Sequence, residues 1–205
     1  LVVTSMTYRQ SSASLPDALG RDRDNRLLWR FAPKRLEGEA VRDSLLQAAG
    51  MLNTQQSGPS YEDVKEIHFN AGRYYLPIEV KGPKFDRRTI YRFSPRGERD
   101  AILDTFDCPD PSATAPTRAV TTTPLQALSL SNNVFVWRMA DDLANRIRKE
   151  AGEAPPGQVR RAWQLSLGRE PDETECSKAT AMITKHGLRS LCRALFNSSE
   201  FVVIE

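Results

Sequence analysis

The chain has 205 residues, 29 basic against 26 acidic side chains and a net charge of +3, with 40% hydrophobic and 27% charged residues. That is ordinary globular composition, long enough for one medium domain or two small ones, with a real core. It contains no run near the roughly 18 apolar residues that a membrane span needs, and its charge is too balanced to demand an anionic partner. Cys108, Cys176 and Cys192 are three in number, so at least one is unpaired within the chain. None is in C-x-x-C or C-x-x-C-H spacing, which excludes a c-type haem attachment site and the common zinc patterns in this stretch. Leu1-Val2-Val3 is too short for a signal peptide, and there is no initiator Met, so the chain reads as a fragment.

In chain order, Leu1 to Tyr8 reads as the tail of a helix. Leu36 to Leu52 is predicted helical, with Val41, Leu45, Ala48, Ala49 and Leu52 on one side and Glu37, Glu39, Arg42, Asp43 and Gln47 on the other. Between Asn53 and Asp100 the periodicity fades and turn signals accumulate at Ser57-Gly58-Pro59, Gly82-Pro83 and Ser94-Pro95. Short strands are expected at Tyr74 to Val80 and Thr89 to Phe93, within an irregular segment holding one hairpin. Thr123-Pro124-Leu125-Gln126 has the form of a capped helix start with Pro at N1. Val136, Ala140, Leu143 and Ile147 then share one helical face, ended by Gly152 and Pro155-Pro156-Gly157. A further helix runs from Gln158 to Leu167 with Gly168 as its left-handed cap. Asp172 and Glu175 resemble a capping box for the next helix, whose stripe is Cys176, Ala179, Ile183 and His186. After Gly187, Leu188, Leu191, Cys192, Leu195 and Phe196 repeat at i, i+3, i+4, i+7 and i+8. The expected fold is mainly α and a single domain. Residues 1–118 form one long helix plus an irregular segment with at most a short hairpin, and residues 119–205 form a helical bundle.

Several strings, all in order, carry a resemblance. They are TSMTYRQSS at Thr4–Ser12, DNRLL at Asp24–Leu28, RLEGEAVRD at Arg35–Asp43, SGPS at Ser57–Ser60, RRTIY at Arg87–Tyr91, TFDCPD at Thr105–Asp110 and RAVTTTPLQAL at Arg118–Leu128. Together they resemble the C-terminal half of the planctomycete domain of unknown function fifteen-fifty-three, over nearly the whole chain. The family's first half is absent, and Cys108 stands where a small residue such as alanine is expected. The resemblance implies an extracytoplasmic (periplasmic or secreted) location, a helical fold, and a larger parent protein that also carries a cytochrome-c-like domain. It brings no catalytic assignment and no cofactor in this stretch; haem c would belong to the parent.

Enzyme signatures are missing: no G-x-S-x-G, G-x-G-x-x-G, phosphate loop or H-E-x-x-H occurs. His186 closes a helix, where a cation suits the negative end. His68 lies near Glu62, Asp63 and Glu66, read as a solvated loop before a metal site. Asp104, Asp107 and Asp110 are spaced i, i+3, i+6, but Pro109 and Pro111 stop a helix there. They read first as a terminating turn, with Asp107 paired to Arg118 or Arg88, and second as a calcium site or glycosidase-like acid pair. Arginines interleave with Trp29, Phe31, Tyr91 and Phe93 in a nucleic-acid-like pattern. The neighbouring Asp22, Asp24, Asp86, Glu98 and Asp100 favour structural ion pairing instead, so no nucleic-acid partner is expected.

Tyr8-Arg9-Gln10 and Asn25-Arg26 are expected to meet Arg42-Asp43 in a buried polar network, since buried arginine and aspartate persist only when paired. The candidate structural or binding set is therefore Tyr8, Arg9, Asn25, Arg42, Asp43, Arg88, Asp107 and Arg118, with no catalytic residue and no metal ligand assigned. The function expected is a non-catalytic structural or binding module of an exported envelope protein, with the parent's other domains and an extracellular polysaccharide as partners. The alternative is a polysaccharide-active hydrolase domain using the aspartate cluster. A third reading places Trp29, Trp137 or Trp163 near a partner's haem, although core packing accounts better for Trp137 and Trp163.

Overall fold

Helical periodicity dominates the sequence, and the computed structural model, which describes residues 1–204, is accordingly mainly α. It is 47% helical, with eight α-helices and two small two-stranded sheets among the described residues. In chain order the elements are α1 (Pro16–Arg21), β1 (Lys34–Arg35), α2 (Gly38–Ala49), β2 (Val64–Phe69), β3 (Gly72–Pro77), α3 (Ala101–Thr105), α4 (Pro124–Asn132), α5 (Val134–Ala151), α6 (Pro155–Leu167), α7 (Glu173–His186), α8 (Leu188–Phe196) and β4 (Val203–Ile204). They fall into two compact units, Leu1–Leu36 with the C-terminal residues from Val202, and Glu37–Phe201. No helix among the described residues is long and apolar enough to cross a membrane.

In the first unit, β1 pairs antiparallel with β4, Lys34 opposite Ile204 and Arg35 opposite Val203. The expected helix tail at Leu1–Tyr8 is instead a single 3-10 turn at Val2–Thr4. There the Thr4 and Ser5 hydroxyls donate back to the Leu1 and Val2 carbonyls, a local bonding pattern that competes with a continuing helix. None of residues 1–36 is buried.

The second unit is centred on α5, whose Val136, Met139, Ala140, Leu143, Ala144 and Ile147 are all buried. α2, α6 and α8 pack against it. α2 brings Val41, Leu45, Leu46, Ala48 and Ala49, and α8 brings Leu188, Leu191, Cys192, Leu195 and Phe196. Each large apolar side chain so buried contributes about 1.5–3 kcal/mol. α7 is peripheral: of its predicted stripe only Ala179 is buried, while Cys176 and Ile183 are half-covered and His186 is exposed. Polar groups close the helix ends. Thr123 N–H donates to Gln126 Oε1 (3.2 Å), and Asp172 and Glu175 form a reciprocal capping box (2.7 and 2.8 Å). Gly50 (φ +75°) and Gly168 (φ +72°) end α2 and α6 in the left-handed conformation that favours glycine. At the C-terminus of α2, Arg146 also donates to the Gln47 and Ala48 carbonyls.

The irregular segment contains one hairpin, but its strands are β2 and β3, with Ile67 opposite Tyr74 and His68 opposite Arg73. Thr89–Tyr91 is a 3-10 turn, not a strand. Thr89 donates both its amide (2.8 Å) and its hydroxyl (2.7 Å) to Asp43 Oδ1, and this anchoring overrides the β-propensity of Thr-Ile-Tyr.

Candidate functional site: an arginine-laced cleft

Arg42 lies on the buried side of α2, one position after Val41 and three before Leu45, so its guanidinium enters the interior. Nη1 donates to the Arg87 carbonyl (2.9 Å) and Thr89 Oγ1 (3.3 Å), and Nη2 to the Phe85 carbonyl (2.8 Å). The same guanidinium lies over the rings of Tyr61 (5.4 Å) and Phe135 (5.3 Å). A buried cation is tolerable here because its donors find acceptors and its faces meet π density. The next residue, Asp43, also receives Arg88 Nε (3.2 Å) and stands 4.0 Å from Arg42. One turn of α2 thereby pins the loop from Phe85 to Thr89.

The same chemistry repeats around this centre. Arg87, buried, donates to the carbonyls of Pro59 (2.8 Å), Ser57 (2.6 Å) and Gln55 (3.3 Å), and stacks on Tyr91 at 4.0 Å. Asp86 is buried and accepts from Arg138 of α5 (3.0 Å), which also donates to the Val80 carbonyl (3.0 Å). Arg92 bonds Asp63 (2.8 Å) and Glu98 (3.1 Å). Burial opposes the Arg92 cation, yet the hydrogen bond and charge of Asp63, with Asp100 and Glu98, raise its pKa above the ordinary arginine value.

A cleft of about 240 Å³ opens beside this network, lined among others by Arg42, Asp63, Phe85, Asp100, Phe135 and Arg138. Its polar groups are largely engaged already: Asp63 Oδ2 holds Arg92, and Asp100 Oδ1 caps α3 through the Ile102 and Leu103 amides (both 2.9 Å). Two groups on the cleft lining are buried with no hydrogen-bond partner, the acceptor Asp63 Oδ1 and the donor Arg138 Nε. The Tyr61 hydroxyl is likewise buried without a partner, and burial pushes its pKa up to about 12.

The aspartate cluster is divided between partners. Arg99 bridges Asp104 (2.9 Å) and Asp110 (2.5 Å), and the Ser112 amide together with Arg99 holds the Asp110 carboxyl below its usual range. The neighbouring cleft measures about 60 Å³, room for a few waters. The expected pairing of Asp107 with Arg118 or Arg88 does not form. Asp107 accepts from the Thr121 amide (2.7 Å) and hydroxyl (2.9 Å) and so ties the end of α3 to the approach of α4. Arg118 instead bonds Glu37 (2.9 Å) and Glu39 (2.8 Å), and that bond lowers the Glu39 pKa against its burial. Cys108 donates weakly to Glu39, and desolvation pushes its thiol up to about 11, so it is no activated nucleophile.

Of the residues expected to share one network, Arg42, Asp43 and Arg88 come together. Tyr8, Arg9 and Asn25 belong to the first unit. Tyr8 meets Phe31 edge-on at 5.8 Å, and the Asn25 side chain brackets Arg30, donating to its carbonyl (2.9 Å) and accepting from its amide (3.2 Å). His68 is on β2, exposed and 3.0 Å from Glu66. Trp163 is buried as core packing requires. Trp137 is 37% exposed, donating to the Ser131 carbonyl (2.6 Å) beneath Arg193. Asp86 and Glu98, expected to form structural ion pairs, pair with Arg138 and Arg92, and the members of the network that sequence reasoning did not single out are Arg87, Thr89, Arg92 and Arg138. The one available signal was the density of arginine and acid between Asp86 and Asp100.

No curated protein and no solved structure matches the chain. One family does, described as PSD1, protein of unknown function (DUF1553), over residues 1–183. A match across that much of the sequence, with the arginine-bearing strings inside it, means that the chain belongs to the PSD1 (DUF1553) family.

Proposed function

We propose that this chain is a non-catalytic structural or binding module of a larger exported bacterial envelope protein, one that also carries a cytochrome-c-like domain. The observation behind this reading is the engagement of the buried charges. Arg42, Arg87 and Arg138 donate to backbone carbonyls, while Asp43 and Asp100 accept backbone amides. A carboxylate that already holds the chain is poorly placed to give or take a proton from a substrate. In this reading α4 to α8 act as a rigid helical bundle that presents the cleft. The cleft lined by Arg42, Asp63, Phe135 and Arg138 takes one unit of an extracellular polysaccharide. Export, a planctomycete source and the haem-bearing neighbour enter through the strings from Thr4 to Leu128.

The test is to express the intact parent, and the same protein lacking this half, and to measure haem content, retention on a polysaccharide panel and release of reducing ends. Retention that depends on this half, without turnover, is the expected result. Release of reducing ends that disappears with this half would replace the proposal with a hydrolase.

A further inference from the structure

The two units differ in charge. The first unit holds seven basic side chains, all within residues 1–36, against three aspartates and Glu205, a surplus of three that equals the net charge of the whole chain. Acidic side chains pair with arginine throughout the second unit, as at Asp43, Asp63, Glu98 and Glu175. Arg9, Arg21, Arg23, Arg26 and Lys34 are exposed. Of the two acids among them, Asp24 is exposed, and Asp22 turns its carboxylate to the backbone, accepting from the Arg26 amide (2.9 Å) and the Leu27 amide (2.7 Å).

That bonding builds a loop with an unusual tip. Trp29 Nε1 donates to the Asp22 carbonyl (2.9 Å), and Asn25 brackets Arg30 from the other side. Between these ties Leu27 is 82% exposed and Leu28 55% exposed. Leu28 has φ +55°, in the left-handed region that a leucine rarely adopts. A polar framework thus holds two adjacent leucines out in solvent amid unpaired arginines. Strain of this kind points to a task for the tip.

We propose that the loop Asp22–Arg30 anchors the protein to the surface of an anionic phospholipid bilayer. Leu27 and Leu28 enter the headgroup boundary, and Arg21, Arg23 and Arg26 meet lipid phosphates. Charge complementarity selects an anionic surface, and guanidinium groups bond phosphate oxygens in pairs. The leucines stand side by side at a tip rather than across a face, which suits a fluid interface better than a protein groove.

The test is co-sedimentation of the 205-residue chain with vesicles of phosphatidylcholine containing about one third phosphatidylglycerol, against phosphatidylcholine alone. The chain should bind the anionic vesicles and be released by high salt. Each arginine near such a surface contributes roughly five-fold, so R23Q/R26Q should weaken binding about 25-fold. L27S/L28S should weaken it at least about ten-fold, while L128S, on an exposed leucine of α4, leaves it unchanged. Far-UV circular dichroism checks that each variant is folded, and the salt titration of the unmodified chain stands independently of them. No binding, equal binding to neutral vesicles, or an equal loss with L128S overturns the proposal. Binding to polyglutamate but not to vesicles also overturns it, in favour of an acidic protein face.

Discussion

Phe196 in α8 and Arg42 in α2 are both buried, yet they hold down different kinds of structure. Phe196 belongs to a helical stretch whose interior is mostly apolar, with Gln126 and Gln158 as its buried polar side chains, and it is met by α5 and α6. Arg42 reaches into the stretch between residues 53 and 100. There the buried side chains include Asp86, Arg87, Thr89, Arg92 and Glu98, with Tyr61, Val64 and Pro95 as apolar company. Within Asp86-Arg87-Arg88-Thr89-Ile90 the usual order is inverted: Asp86, Arg87 and Thr89 are inside, and Ile90 is exposed. Apolar burial is non-directional, so it leaves regular helices undisturbed. Guanidinium bonding is directional, and it bends the chain to wherever a carbonyl must point.

The largest expected effect tests the apolar side. Phe196→Ala should cost about 3–5 kcal/mol in chemical denaturation, with one cooperative transition, because the cavity forms among packed helices. Arg42→Ala should cost on the order of 3 kcal/mol, since the Arg87 and Phe85 carbonyls lose their donor and Asp43 loses a neighbouring cation. Its loss should be local first. Amides of the 53–100 segment should exchange faster while those of α8 keep their protection, and uniform loss of protection would erase the contrast drawn above.

A smaller effect concerns the polar edge of the helices. The Arg169 hydrogen bond and the Asp172 amide hold Glu175 down at a pKa of about 2. A depressed carboxylate stabilises the fold above its unfolded pKa and loses that contribution as pH falls through the folded value. The window is therefore from about 4.5 down to about 2. Glu175→Gln should cost about 1 kcal/mol at pH 6, after allowance for solvent screening of this exposed pair. Urea midpoints of the two proteins should converge by pH 2, and a constant difference would count against the Arg169–Glu175 bond.

The smallest effect separates packing from bonding inside the arginine network. Tyr61→Phe should change stability by less than about 0.5 kcal/mol at pH 7, or raise it slightly, because the hydroxyl removed has no partner. Tyr61 stays protonated up to about pH 12 in the fold but ionises near 10 when unfolded. The parent should thus lose stability relative to the variant as pH rises from 10 to 12. A marked loss at neutral pH would mean that the hydroxyl is bonded after all.

The helical part was legible in advance because its signals are local. Leu188, Leu191, Cys192, Leu195 and Phe196 declare a face by spacing alone, and Asp172 with Glu175 declares a start. Trp137 shows where that reasoning stops. It sits at helical spacing, yet only the position of Ser131 and Arg193 leaves it at the surface. The candidate site was less legible still. Arg42, Asp43 and Arg88 could be named, but Arg42 bonds carbonyls 43 and 45 positions away and Asp43 accepts from an amide 46 positions away, and nearly every residue carries both backbone groups. Asp107 was marked as a tether, and its partner proved to be Thr121 rather than an arginine.

Periodicity, capping residues and composition were enough to establish a mainly α chain and the ends of most of its helices, since those properties depend on neighbours three or four positions apart. Which arginine meets which carbonyl, which carboxylates remain single, and that Leu27 and Leu28 point outward were decided only by the folded chain. Hydrogen bonds between distant segments are chosen by position in space, and residue type narrows that choice very little.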